Sequence, residues 1–228
     1  MSIKFTYVGH ATYLLEIAGK QIVIDPFFTS NPSTEVAADS VAADYILVSH
    51  GHFDHVEDLV SLAKRTGAQV VSNFEIVNWI QGQGVENTHP QHLGGGFNHD
   101  FGHLKLTIAH HGSGLPDGSY GGNPAGLLIT SEGKKLYFAC DTALFQDMQL
   151  YGEEGIDLFV VPIGDNFTMG PDDALRAVKF VKPRLAMPCH YNTWPAIEQD
   201  AVAWAKRVEA ETDSKVHVLS PGGSLDLS

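Results

Sequence analysis

Cysteine is nearly absent from this chain of 228 residues: only Cys140 and Cys189 occur, too few for a disulfide scaffold. Cations are scarce as well. Fourteen lysines and arginines stand against 27 aspartates and glutamates, for a formal charge of -13, a field that repels nucleic acid and anionic membrane surfaces. No stretch approaches the roughly 18 consecutive apolar residues that span a bilayer. The opening MSIKFTYVGH alternates like a strand and lacks the apolar stretch and cleavage site of a signal peptide. These absences set the expectation of a cytoplasmic protein with neither a nucleic-acid nor a membrane partner; assembly into a homo-oligomer is left open. Linkers, charge runs and low-complexity tracts are also missing, which favours a single domain over residues 1–228. What is present, 43% hydrophobic residues against 18% charged, suits a soluble chain able to bury a real core.

Periodicity yields an alternation of strands and helices. Strands are expected at 3–8, 12–17 and 21–24, with Gly19 turning the last hairpin, and a buried strand at 45–48. A helix is expected at 56–65, stopped by Gly67, then a strand at 68–72 and a helix at 74–81. Residues 88–103 read as a glycine- and histidine-rich loop holding at most one strand pair. Strands follow at 103–109, 126–130, 135–139 and 156–162, a helix at 171–181, a strand at 184–188, a helix at 195–211 and a closing strand at 214–219. Pro171 and Pro195 fall where a first helical turn accepts proline. Strand groups open each half and strand–helix units follow, an α/β pattern whose weak repetition suggests two packed sheets with helices outside.

The densest chemistry lies in YILVSHGHFDHVED, where His50, His52, Asp54 and His55 follow a buried strand. Residues two apart in extended chain point the same way, so His50 and His52 can reach one ion. Asp54 and His55, at the turn into a helix, can face another. Imidazole and carboxylate suit Zn²⁺, and also Mn²⁺ or Fe²⁺. The other reading, a polar loop with solvated histidines, fits a lone His-x-His far better than this set. Further ligand-type residues recur just past predicted strands: His10, Asp25, His111, Asp141, Asp165 and His190. Strand ends converge on one sheet edge, where α/β folds place their sites. By contrast His89, His92, His99 and His103 are irregularly spaced among glycines and read as solvated or edge-loop residues.

SHGHFDH resembles the His-x-His-x-Asp-His signature of the metallo-β-lactamase superfamily, and AHHGSG, CDT and CHYNT follow in that superfamily's order. More closely, GHAT, IDPFF, CDTALF, PIGDNFTMGP and HYNTWP resemble a branch of small metal-dependent hydrolases similar to the ascorbate-6-phosphate lactonases. The resemblance implies a four-layer αββα sandwich with two divalent metal ions between the sheets, zinc first, manganese or iron as alternatives. It places His50, His52 and His111 on one ion and Asp54, His55 and His190 on the other, with Asp141 bridging. Asp25 would orient a ligand imidazole, and His10 would line the cleft. His110 is the fallback for His111. Cys140 stands where the branch usually has glycine; with Cys189 beside His190 it is expected buried and inert.

The reaction so implied is hydrolysis of a small ester, lactone, amide or phosphoester by a metal-activated hydroxide. Asp54 is the expected proton acceptor, and a metal-held water, His10 or Tyr191 the donor to the leaving group. None of the lysines and arginines falls in the site-forming segments 49–55, 110–126, 140–152, 163–174 and 189–200, which argues against a nuclease and for a small, neutral or weakly anionic substrate. Segments 112–124 and 164–171 are the expected cleft walls, with Tyr120, Asn166 and Thr168 as candidate substrate contacts beside Ser119 and Phe167. A mononuclear iron oxidoreductase on the same fold and a metal-binding protein without turnover are the alternatives. The former needs fewer ligands than this sequence supplies.

Overall fold

A computed structural model describes residues 2–228. In the first half, β1 (Ile3–Gly9), β2 (Thr12–Ile17) and β3 (Lys20–Ile24) form an antiparallel meander. To its edge are added in parallel β4 (Tyr45–Leu47), β5 (Gln69–Asn73) and β6 (Thr88–Gln91). The second half repeats the scheme: β7 (Gly96–His99), β8 (Gly102–Ile108), β9 (Ala125–Ser131) and β10 (Lys134–Phe138) are antiparallel. The parallel strands β11 (Leu158–Pro162), β12 (Leu185–Cys189) and β13 (Lys215–Val216) follow. A last strand, β14 (Ser224–Leu227), returns to pair with β1, so each sheet has seven strands.

Alternation along the strands separates three apolar layers. Phe5, Tyr13, Leu15, Leu47, Leu106, Leu127, Phe138 and Val160 meet between the sheets. On the outer face of the first sheet pack α2 (Leu59–Thr66) and α3 (Phe74–Gly82), after the single turn α1 (Phe53–Val56). Outside the second sheet lie α4 (Met148–Gly152), α5 (Pro171–Val181) and α6 (Ala201–Glu211). The architecture is the αββα sandwich, its inner core apolar and its helices amphipathic. No helix among the described residues is long and apolar enough to cross a membrane.

Several expected elements shift, each for a local reason. The helix at 56–65 breaks at Asp58, whose carboxylate accepts the N–H groups of Phe28 and Thr29 at 2.7 and 3.0 Å and so anchors the loop after β3. The helix at 195–211 is a 3-10 turn at Pro195–Ile197, and α6 begins only after Asp200 caps it by accepting from Ala203 N–H at 2.9 Å. The closing strand at 214–219 shortens to Lys215–Val216, because the Pro221–Gly222–Gly223 turn sends the chain on to β14, a strand the apolar pattern did not mark. The loop at 88–103 holds β6 as well as the β7–β8 hairpin.

Candidate metal centre

β1, β3 and β4 of one sheet and β8, β10 and β12 of the other run in the same sense within their sheets. Their ends deliver His10, Asp25, His50, His111, Asp141 and His190 to one edge of the sandwich. The backbone is bent hard there: His10, Asp25, Cys140 and His190 all take left-handed φ, between 48° and 58°. Non-glycine residues hold such angles only where the surroundings fix them, and functional sites are where they collect. Gly51 has its own reason. A Cβ there would meet Leu115 Cδ2 at 2.9 Å, so glycine lets the 112–124 loop close over the histidines.

Donor atoms gather in two main groups, and a third set, Asp25, His50 and His55, overlaps both. His50, His52 and His111 form one main group; Asp54, His55, His190 and His10 form the other, and within each the ligand-type atoms lie within 4.8 Å of one another. Asp141 stands between them. Its Oδ2 is 3.1 Å from His190 Nε2, 3.4 Å from His55 Nε2, 3.5 Å from His111 Nε2 and 3.9 Å from His50 Nε2. Sequence reasoning placed all of these residues at the centre, and the structure brings them together. It also separates the neighbours His110 and His111, since His110 turns away to pack edge-on against Phe145 at 5.0 Å.

A second layer of contacts fixes the imidazoles. Asp25 accepts from Ser49 N–H at 2.7 Å, from Ser49 Oγ–H at 2.6 Å and from His55 Nδ1–H at 2.8 Å, leaving His55 Nε2 aimed into the site. With its proton given to Asp25, Ser49 Oγ accepts from His50 Nδ1–H at 2.9 Å, and His50 Nε2 likewise faces inward. Such outer partners set tautomer and ring orientation in metal sites. His10 is wholly buried, so it backs the cleft instead of lining it: Nε2–H donates to Asp54 Oδ2 at 2.9 Å, and Nδ1 accepts from Thr193 Oγ1 at 2.8 Å. Ser49 and Thr193 carried no sequence signal of their own beyond adjacency to His50 and the HYNTWP motif.

Charge and burial make this an electrostatic trap for cations. Burial first, and then neighbouring imidazoles, push His50 well down and lower His52 and His111. Those rings are therefore neutral, with lone pairs free to ligate. Burial and then His190 bring His10 down to about 4. Against the upward push of burial, His55 and His10 hold Asp54 well below the carboxylate range, and His190 and His55 do the same for Asp141. Burial would depress His55 too, but Asp141, Asp25 and Asp54 outweigh it and raise that imidazole. The site thus draws positive charge to the point where the carboxylates meet. Buried His55 Nε2, Asp141 Oδ1 and His190 Nδ1 have no hydrogen-bond partner, a cost of about 1–3 kcal/mol each when such groups stay unsatisfied. The unpaired His55 Nε2, 3.4 Å from Asp141 Oδ2, and the unpaired second oxygen of Asp141 fit a divalent cation.

Not every expected residue joins the centre. Tyr191 follows His190 but packs against the helix-side core of the second sheet and lines a separate groove with Asn192, Gln199 and Val218, so it does not face the cleft. Asp165 is exposed and accepts from Asn166 N–H at 2.9 Å. Tyr120 is exposed and reaches Asn123, Thr168 Oγ1 donates to the Met169 carbonyl, and neither these nor Asn166 lines the cleft. Of this turn, Phe167 lines the cleft instead. Both thiols are buried and unpaired, and burial first raises each, which keeps them from acting as ready thiolates. His89, His92, His99 and His103 belong to none of the ligand groups among the described residues.

The chain matches the model of the Beta-lactamase superfamily domain over residues 20–191. It is 48% identical to a UPF0173 metal-dependent hydrolase of Heliobacterium modesticaldum, covering 99% of this chain and 98% of that one. It is 49% identical to a homologue of the same description in Bacillus thuringiensis subsp. konkukian, covering 99% and 100%. Among solved structures, Igni18, a metallo hydrolase from Ignicoccus hospitalis, superimposes with a TM-score of 0.91 at 32% identity over 100% of this chain and 99% of that one. The chain belongs to the UPF0173 metal-dependent hydrolases of the beta-lactamase superfamily.

Proposed function

We propose that this metal-dependent hydrolase works with two divalent ions, zinc in the first instance, on a small-molecule ester, lactone, amide or phosphoester. His50, His52 and His111 would hold one ion, Asp54, His55 and His190 the other, and Asp141 would serve both. The observation that carries this reading is the position of Asp141 Oδ2, within 3.1–3.9 Å of imidazoles from both donor groups. Ions bound there supply Lewis acidity, lowering the pKa of a water and polarising the scissile group.

The protein's own groups do the remaining work. Asp54 borders the cleft with one oxygen tied to His10, so its carboxylate is held in place to accept a proton from the attacking water. His10, kept neutral by burial and by His190, fixes that carboxylate without drawing its proton away. Asp25 keeps the His55 Nε2 lone pair directed inward. Tyr191 lies outside the cleft and His10 is buried behind Asp54, so of the expected donors to the leaving group a metal-held water would remain. Replacing His52 and Asp54 together by alanine is expected to abolish both bound metal and turnover. An active, metal-free double variant contradicts the proposal.

A further inference from the structure

Above its polar floor the cleft has walls of another chemistry. It is a cavity of about 640 Å³ walled by Phe53, Leu115, Pro116, Phe167, Trp194 and Ala196, and no lysine or arginine lines it. Phe53 and Phe167 are 52% and 54% exposed. Single exposed apolar residues are ordinary; two phenyl rings on the rim of one apolar cleft mark a binding surface.

Each ring is held from behind. Phe53 sits between His52 and Asp54 and packs edge-on to buried Phe27 at 5.8 Å, with Trp194 at 6.2 Å. Trp194 in turn stands edge-on to His10 at 4.8 Å. Phe167 is presented by a turn in which Asp165 and Asn166 both take left-handed φ, 61° and 49°. That turn is closed by the N–H groups of Phe167 and Thr168 on the Asp165 carbonyl. It is pinned beside Asp141 by Met169 N–H donating to Thr142 O at 3.1 Å. Two consecutive non-glycine residues in this region are a strained arrangement, and what it achieves is to hold an apolar ring over the cleft. Leu115, on the facing loop, is fixed by Ser113 Oγ accepting from Gly51 N–H at 3.0 Å and by Asn73 donating to Gly121 O at 2.7 Å.

We propose that this wall is a substrate subsite selecting an uncharged, apolar group, aromatic or alkyl, beside the scissile bond, and that Phe53 and Phe167 set the selection. The inference rests on the hydrolase reading above and names its substrate class. A carboxylate or phosphate in that position would meet no side-chain cation and would lose its hydration against carbon, within a protein of formal charge -13.

The test uses two matched pairs on zinc-reconstituted protein. The first pair is 4-nitrophenyl phenylacetate and the same ester with a para-carboxylate on the acyl ring; water cleaves the acyl C–O bond of either, giving the acid and 4-nitrophenol. The second is phenylacetamide and its para-carboxylated analogue, followed for binding by ligand-observed NMR so that the readout does not depend on turnover. The neutral member is expected to bind at least about tenfold more tightly, and its ester to show the higher kcat/KM by a similar factor. In F53A/F167A the ratio falls to within about threefold of unity, and in F167K it shifts toward the carboxylated probe, with metal content and melting temperature unchanged. Binding preference without hydrolysis of either ester overturns the acyl-hydrolysis reading and supports the subsite. Equal or tighter binding of the carboxylated amide by the unaltered protein, no binding of either amide, or an unchanged ratio in the double variant overturns the subsite.

Discussion

Histidines cluster at both ends of this sandwich, and among the described residues only one cluster gathers the donor groups that could hold a metal ion. At the strand ends, His50, His52, His55, His111 and His190 surround Asp141. At the other end, next to Tyr45 where β4 begins, His99 stacks on Phe101 at 5.2 Å and meets His89 edge-on at 5.0 Å, with Phe97 4.3 Å from His89. There His99 Nε2 bonds the neutral amide oxygen of Gln91 at 3.1 Å. Burial and then His89 bring His99 down to about 4. Both places therefore hold at least one imidazole whose pKa is lowered by burial, His50 at the first and His99 at the second. The difference is the carboxylates: three converge at the first cluster, while Asp100 beside the second is largely exposed and pairs with Lys20 at 3.5 Å. Imidazole density says little about metal; imidazoles whose far nitrogens are fixed by carboxylate and hydroxyl, and whose near nitrogens share an acid, say a great deal.

The sharpest way to break this contrast is to remove ligands at each end. H52A/D54A should lose metal and, through loss of the proton acceptor alone, at least about 10²–10⁴-fold in turnover. H89A/H99A should keep the wild-type metal content and rate. Metal analysis and a hydrolysis assay on both double variants decide it. A milder change probes the orienting layer: Asp25→Asn keeps the shape but weakens the hold on His55, and should cost about 10–100-fold in metal affinity by chelator competition.

Smaller effects sharpen the edges of the site. Gly122→Ala puts a Cβ 2.5 Å from Glu75 Oε2 and 2.7 Å from Asn73 Nδ2 at a φ of 75°, and should destabilise the cleft loop by about 1–3 kcal/mol in denaturant titration. Tyr191→Phe should leave kcat/KM within about twofold of wild type, because the ring faces the helix-side core. A large loss would return Tyr191 to the chemistry.

Local spacing made the central motif readable: His50 to His55 share one strand end and one helical turn, so their convergence needs no knowledge of tertiary structure. Strand ends marked His111, Asp141 and His190, which follow strands of the other sheet, as candidates, and the family resemblance assigned them as ligands. The layer behind them was only partly legible. Asp25 was anticipated, but Ser49 and Thr193 act through hydroxyls that look like any loop serine or threonine. Asp165 marks the limit of reasoning from strand ends. Strand termination predicts which edge a residue reaches, not which way its side chain faces once the backbone turns left-handed at Asp165. The fold divided the same way. Long apolar strands were plain, whereas β6 contains Pro90 and β14 alternates weakly after two glycines, and both are recruited by pairing with a neighbouring strand instead of by their own pattern.

The most direct measurement is metal content by mass spectrometry on wild-type protein purified without added metal and then reconstituted with zinc, beside Asp141→Ala. Two equivalents in the wild type, with loss at both sites in the variant, is the expected result. A wild type that holds no metal, or an Asp141→Ala variant that still binds two equivalents, would contradict an aspartate shared between two histidine groups.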